Sequence, residues 1–253
     1  RMGAAGSTAK RLERAEKTGV FALRDQGVVQ LPEKIFTLKS LRTLDVGHNR
    51  LLKLPEAIGR CTLLTTLALD ANRIKALPPV VCTLSRLESL NVSANQLKAL
   101  PDALGELKKL KKLLVAHNAL TALPDSLGAC SELTTLDASH NAITALPRGF
   151  GQLVSLAQAD LSFNKLGSPL VEGLGGLKRI KSLDLRENVA ILELPAELLR
   201  DTPLHRLGVD THLLGSDGLL REMEGSKEYL ERRKARIDQE VAGKAKGGEI
   251  MFD

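Results

Sequence analysis

Apolar positions along this chain change their spacing within a short stretch and then repeat as a block. From Leu64 the sequence runs LTTLALDANRIKALPPVVCTLSR, from Leu87 LESLNVSANQLKALPDALGELKK, from Leu110 LKKLLVAHNALTALPDSLGACSE and from Leu133 LTTLDASHNAITALPRGFGQLVS, each beginning 23 residues after the last. Within a unit, Leu64, Leu67 and Leu69 pass from a spacing of three to the strand period of two. That change predicts a short strand with Leu67 and Leu69 on its buried side. Asn72 follows where the chain must turn, and its amide can donate to and accept from backbone groups that the bend leaves unpaired, so the pattern predicts it buried. Ile74 and Leu77 then fill the interior, Pro78 stiffens the return, and Val81 and Leu84 close the far side. No such unit can bury its apolar residues alone, so consecutive units must stack. The prediction is a curved α/β solenoid with a parallel concave β-sheet, short helical or irregular convex returns and helical caps at both ends.

A period of about 20 to 29 residues carrying L-x-x-L-x-L-x-x-N-x-L is the signature of leucine-rich repeats. Regular units begin at Leu41, Leu64, Leu87, Leu110, Leu133 and Leu156, with Asn49, Asn72, Asn95, Asn118, Asn141 and Asn164 in register. GVFALRDQGVVQLPEKIFTLKS is a degenerate first unit with Gln26 in the Asn slot. The phase slips between Ser168 and Gly173 and again near Val189; Asn188 keeps its slot, and His212 takes it in the last unit. The organisation read from this pattern is an N-terminal segment and capping helix (1–17), a solenoid of about nine units including its ends (18–214), and a C-terminal cap, helix and tail (215–253). Ser7 to Lys17 predicts a helix capped by Ser7 or Thr8. GLLREMEGSKEYLERRKARIDQEVAG predicts a short helical turn, a break at Gly225 and a helix from Ser226 to Ala242, with Leu230, Ile237 and Val241 on one side. AGKAKGGEIMFD reads as a tail of little helical character.

The 253 residues are 43% apolar but include only five Phe, one Tyr and no Trp, so the core must be aliphatic. A formal charge of +6 permits an anionic partner without requiring one. Cys61, Cys82 and Cys130 all fall in return segments, without a paired-cysteine flanking module, which points to an intracellular site. No apolar run approaches the roughly 18 residues of a membrane span. Arg1 precedes Met2; read from Met2, MGAAGS fits the M-G-x-x-x-[ST] pattern for N-myristoylation, with Gly3 as the lipid acceptor. Lys10, Arg11, Arg14 and Lys17 make the first helix basic, which suits an anionic membrane surface.

The 23-residue LP-type units, the opening MG and short helix leading into KTGVFALRDQGV, and the ending LLREMEGSKEYLERR resemble the small intracellular Ras-group leucine-rich-repeat proteins, in particular the short single-domain ones with a myristoylation signal. That resemblance implies a cytoplasmic adaptor or scaffold, membrane-associated through a lipid anchor and without enzymatic activity.

The repeat also sorts the polar residues into columns on the concave side. Asp45, Asn91, Leu114, Asp137, Asp160 and Asp184 share one column, Asp70 lies in the next, and His48, His117, His140 and Phe163 share the one before the asparagines. These residues are the candidate partner-binding positions. Three consecutive aspartates, Asp137, Asp160 and Asp184, on strands about 4.8 Å apart repel unless something positive approaches. A metal would need further ligands that an open sheet rarely brings together. Asp137, Ser139 and His140 have the composition of a catalytic triad, but Ser139 lacks a G-x-S-x-G elbow. The run KKLKK, Lys108 to Lys112, lacks stacking aromatics beside it, which argues against nucleic acid. The chain therefore reads as a non-enzymatic scaffold with no metal, cofactor, small-molecule substrate or nucleic-acid partner. Its partner would be a protein, with a basic rim around an apolar anchor, held on the concave face. The alternatives are a membrane-peripheral tether and, behind it, a structural subunit that assembles through its convex face and C-terminal helix.

Overall fold

The computed structural model describes residues 2–210, 213 and 219–247, with side chains for 9–210, 213 and 220–241. Nine three-residue strands, β1 (Val20–Ala22), β2 (Thr43–Asp45), β3 (Thr66–Ala68), β4 (Ser89–Asn91), β5 (Lys112–Leu114), β6 (Thr135–Asp137), β7 (Gln158–Asp160), β8 (Ser182–Asp184) and β9 (Arg206–Gly208), form one sheet in sequence order. Every pairing is parallel and in the register of the repeat, so Leu44, Leu67, Leu90, Leu113 and Leu136 are direct neighbours. All five are buried, with Leu69, Val92, Val115 and Ala138 behind them, in one continuous aliphatic core.

Five of the returns, from Glu33–Thr37 to Asp125–Ala129 and including Glu56–Arg60, are single 3₁₀ turns that begin just after a proline. Pro55 sits at φ −67 and ψ 147, and its carbonyl accepts the Ile58 N–H at 3.1 Å. Proline needs no donor there and its ring presets φ. Adjacent returns approach so closely that a Cβ on Gly105 would lie against the Ser126 carbonyl, which is why glycine interrupts an otherwise leucine-rich run.

The asparagines stitch the units together. Asn72 Nδ2 donates to the Leu69 carbonyl of its own turn (2.9 Å) and to the Val46 carbonyl of the preceding one (3.0 Å), while its Oδ1 accepts the Leu51 N–H (2.9 Å). Asn188 repeats this at the eighth unit and is 1% exposed. Asn95 makes the same bonds but is only part-buried, so the expectation of full burial holds for Asn72 and not for Asn95. The residue before each asparagine, and Asp25 before Gln26 in the first unit, adopts a left-handed conformation, through His48, Ala71, Ala94, His117, His140 and Phe163 to Glu187, with φ between 51 and 58. Eight non-glycine residues in this region would be costly one by one; the hydrogen bonds of the ladder on either side hold them.

The ends depart from the sequence reading. The first helix, α1, spans Met2–Thr18 and so starts before the expected Ser7 cap. Met2, Ala4 and Ala5 are helix formers that a search for a capping residue passes over. Ala15 of α1 is fully buried against the first unit. The last return is α-helical (α2, Ala196–Arg200). After a single turn, Leu219–Glu222, the C-terminal helix runs from Ser226 to Gly247, beyond the expected end at Ala242. Its first turns close the solenoid: Tyr229 is 1% exposed, Leu230 packs on the core, and the Arg232 guanidinium donates to the carbonyls of Leu204 (3.1 Å) and Leu199. Burial lowers the pKa of Arg232 from its ordinary value. Ile237 and Val241 are 49% and 63% exposed, so only Leu230 of the expected apolar face meets the core. His212 and the final residues, 248–253, lie outside the described residues.

Candidate functional site

The structure divides the concave face into three parts. Two of them are already engaged with the protein's own charges, and the third is open.

At the N-terminal end, Arg24 binds Asp70 through both terminal nitrogens (3.2 and 2.6 Å) and reaches Asp45 at 3.1 Å. The bond to Asp70 raises the pKa of Arg24, against a smaller opposing effect of burial. His48 lies between carboxylates, Nδ1 at 3.5 Å from Asp25 and Nε2 at 3.4 Å from Asp70. A Cβ on Gly47 would collide with Arg24 and Asp70, so glycine makes room for the pair. Arg24 sits in the degenerate first unit, where no column flagged it. At the C-terminal end, Arg186 holds Asp184, its Nε 2.9 Å from Oδ1. Partial burial pushes the Asp184 carboxyl up, but the hydrogen bonds and charge of Arg186 outweigh it and hold the group below the ordinary carboxylate range.

The middle brings Asn91, Leu114, His117, Asp137, His140, Asp160 and Phe163 together across β4 to β7. The rings form a ladder. His117 and His140 are stacked with centroids 4.1 Å apart and planes at 12°, and His140 and Phe163 at 4.2 Å and 8°. The column was readable in the sequence; the shared left-handed backbone brings the three rings side by side on adjoining units, where they stack. Phe163 is 46% exposed and Leu114 part-buried.

The aspartate column has a structural role that its charge pattern hid. Asp160 Oδ1 accepts the Ser162 N–H (3.0 Å) and hydroxyl (2.6 Å), and Asp137 Oδ1 does the same for Ser139 (3.2 and 2.8 Å). Asp45 accepts the Gly47 N–H, and Asn91 accepts the Ser93 N–H, both at 3.1 Å. These are turns closed by a side-chain oxygen two residues back, and neutral Asn serves as well as charged Asp. The same bonds dismantle the triad composition. The Ser139 hydroxyl donates to Asp137, and His140 is held between two rings, so nothing activates the serine. Among the described residues no three His, Cys, Asp or Glu side chains converge on a metal position. In the basic run, Leu110 is fully buried and Lys111 pairs with Glu88 at 2.9 Å.

A family model described as leucine rich repeat matches residues 62–120 and 108–166, and a second, for the single repeat, matches 40–61. The chain is a leucine-rich-repeat solenoid. No curated protein matches it in sequence. Among solved structures it is similar to a leucine-rich-repeat protein of Leptospira interrogans (29% identity, TM-score 0.65, covering 79% of this chain and 57% of that one). It is also similar to the leucine-rich-repeat ectodomain of the plant membrane receptor kinase GASSHO1/SCHENGEN3 of Arabidopsis thaliana, solved in complex with Casparian strip integrity factor 2 (26%, TM-score 0.61, covering 72% and 26%). The functional domain of InlJ of Listeria monocytogenes shares the fold (23%, TM-score 0.57, covering 78% and 47%). The chain spans less than two thirds of the length of each.

These likenesses overturn the resemblance to small intracellular Ras-group proteins. The solenoid is similar instead to a bacterial leucine-rich-repeat protein and a plant receptor ectodomain. The cytoplasmic, lipid-anchored placement falls with that resemblance, against the receptor ectodomain and InlJ. The physical reason is that unit length, asparagine ladder and proline turn are demands of stacking, and they hold in any compartment. The cysteines misled in the same way. Cys61, Cys82 and Cys130 are unpaired and buried, and Cys61 and Cys130 stand where other units carry Leu84 and Leu107, so they act as small core residues.

Proposed function

We propose that this leucine-rich-repeat solenoid is an interaction scaffold that binds a protein partner on the middle of its concave face. The observation that carries the reading is the solvent-facing ring stack of His117, His140 and Phe163 beside Leu114, bordered by Asp137 and Asp160. Oδ1 of each aspartate is used by a turn, and Oδ2 takes no hydrogen bond among the described residues. An apolar and aromatic centre with a charged border has the anatomy of an interface. The partner it fits presents an apolar anchor with a basic rim. Asn91 belongs to this patch. Asp45, Asp70 and His48, held with Arg24, and Asp184, held by Arg186, make rigid flanks with their charge largely spent. A similar leucine-rich-repeat ectodomain solved in complex with a factor supports a partner-binding role. With the intracellular resemblance overturned, the short pattern around Gly3 stands alone and carries no role for a lipid tether.

The test compares partner capture by wild-type protein with capture by Leu114→Asp, which places a charge against the anchor and is expected to raise the off-rate at least tenfold. Asp137→Asn with Asp160→Asn keeps both turns, as Asn91 does, and is expected to slow association several-fold at low salt only. Asp160→Lys is the wrong probe, because it also removes the acceptor of the Ser162 N–H and costs about 1–2 kcal/mol of stability. If capture survives all the concave changes and is lost in Lys108→Glu with Lys109→Glu, the outer surface is the binding face.

A further inference from the structure

The ring ladder ends abruptly at His117. The same position in the two preceding units holds Ala94 and Ala71, with φ of 53 and 51, and in the unit before those His48, which is turned toward Asp25 and Asp70. The backbone is the same throughout, so the turn itself does not call for alanine. Glycine or asparagine suits a left-handed residue better, and three rings are carried at φ 52 to 54 in the units that follow. What the alanines change is size. Ala94 is exposed and Ala71 half-buried, and among the described residues His117 stacks on His140 alone, so its outer face has no ring partner there. Asn91 and Ser93 of the same unit are both part-buried beside that position.

We propose that an aromatic side chain of the partner lies over Ala94 and becomes the next rung on His117. This rests on the concave face being the binding surface, and it specifies the anchor.

Charge selects an aromatic ring over the other planar group, a guanidinium. The carboxylates on the N-terminal side, Asp70 and Asp45, are bound by Arg24. Asp137 lies two strand spacings from the Ala94 unit, about 10 Å away. A guanidinium over Ala94 would therefore find Asp70 already taken by Arg24 and no carboxylate on β4 (Ser89–Asn91) or β5 (Lys112–Leu114) to accept its hydrogen bonds. An aromatic ring needs none, buries the Ala94 methyl, and gains a stacked neighbour. A phenol hydroxyl would find Asn91 and Ser93 as polar neighbours. At its other end the ladder runs into Arg186 and Glu187, both exposed and charged, which do not favour an apolar ring.

The experiment titrates the full chain with three capped tripeptides, acetyl-Gly-Tyr-Gly-amide and its Arg and Leu counterparts, and follows the Ala71 and Ala94 methyl and His117 ring resonances by NMR. The expected result is a saturable upfield shift of the Ala94 methyl with the Tyr peptide, at an affinity at least tenfold above the other two. Ala94→Phe supplies the rung from within. It is expected to fold, since Phe163 has the same φ, and to abolish the response at His117, whose outer face it covers. Equal response to the three peptides, preference for Arg, a response confined to Glu187, or a His117 response to Tyr unchanged in Ala94→Phe would each overturn the proposal. If the Tyr peptide fails while partner capture still responds to Leu114→Asp, the rung is wrong and the concave-face reading stands. If the Tyr peptide saturates while capture ignores Leu114→Asp, the rung stands as a binding site and the patch around Leu114 does not.

Discussion

Asn95 accepts the Ile74 N–H at 2.9 Å and donates to three carbonyls, those of Leu69, Val92 and Ser93, so one side chain closes two successive turns. Gln96, the next residue, is exposed. Asn95→Ala is therefore expected to cost at least about 2 kcal/mol more than Gln96→Ala in denaturant unfolding, because it orphans backbone groups that water reaches poorly. Asn188→Ala should cost more still, since its amide is 1% exposed. Equal unfolding midpoints for Asn95→Ala and Gln96→Ala would mean that the ladder contributes nothing. At this scale the asparagine column was legible in the sequence, because one residue type recurs at the bend of every regular unit. The aspartate column was read as unrelieved charge, because a carboxylate written in a sequence does not reveal the N–H two residues on that it accepts.

Among the elements, the C-terminal helix divides into a cap and a projecting half. Tyr229 and Leu220 are buried, and Arg232 takes up carbonyls at and beyond the end of α2. Burial pushes the Tyr229 hydroxyl above its ordinary pKa. Tyr229→Ala is expected to destabilise by about 3 kcal/mol or more, and Ile237→Ser by less than about 0.5 kcal/mol. Removal of the chain from Gly218 onward should expose the last unit's leucines and lower solubility, because a solenoid end needs a polar cover. A truncated protein as stable and as monomeric as the whole chain would make the helix a partner-binding arm. The spacing of Leu230, Ile237 and Val241 puts them on one side of the helix, but only Leu230 packs on the core. The sequence carries the period of a helix and not the place where the surface beneath it ends.

The molecule as a whole stores its thiols in the core. Burial raises Cys61 and Cys130 from 9.0 to about 11, and Cys82 also rises. The folded pKa exceeds the unfolded one, so this contribution to stability is fully present below pH 9 and is lost as pH rises toward 11. The expected outcome is a melting temperature that is level through neutral pH and falls between pH 9 and 11. At pH 8 the native protein should leave all three thiols unlabelled by a thiol reagent until it unfolds. Rapid labelling of native protein at pH 8 would show that the returns open. This stability is spread along the array, since each strand pairs only with its neighbours in sequence.

By itself the sequence determined the solenoid. A 23-residue period with leucines at strand spacing, an asparagine at each bend and a proline in each return admits one arrangement, in which every unit hides its apolar side on the next. It also sorted the concave residues into their columns, since register follows from the period. The tertiary structure alone decided which of those residues are available. Arg24 crosses from the first unit to spend Asp45 and Asp70, Arg186 folds onto Asp184, and three rings of a shared left-handed backbone turn into a stack that stops at Ala94. A column in a sequence gives position along and across the sheet. Whether a side chain there meets a charge, a turn or solvent depends on residues at other columns, and those come together only when the units stack.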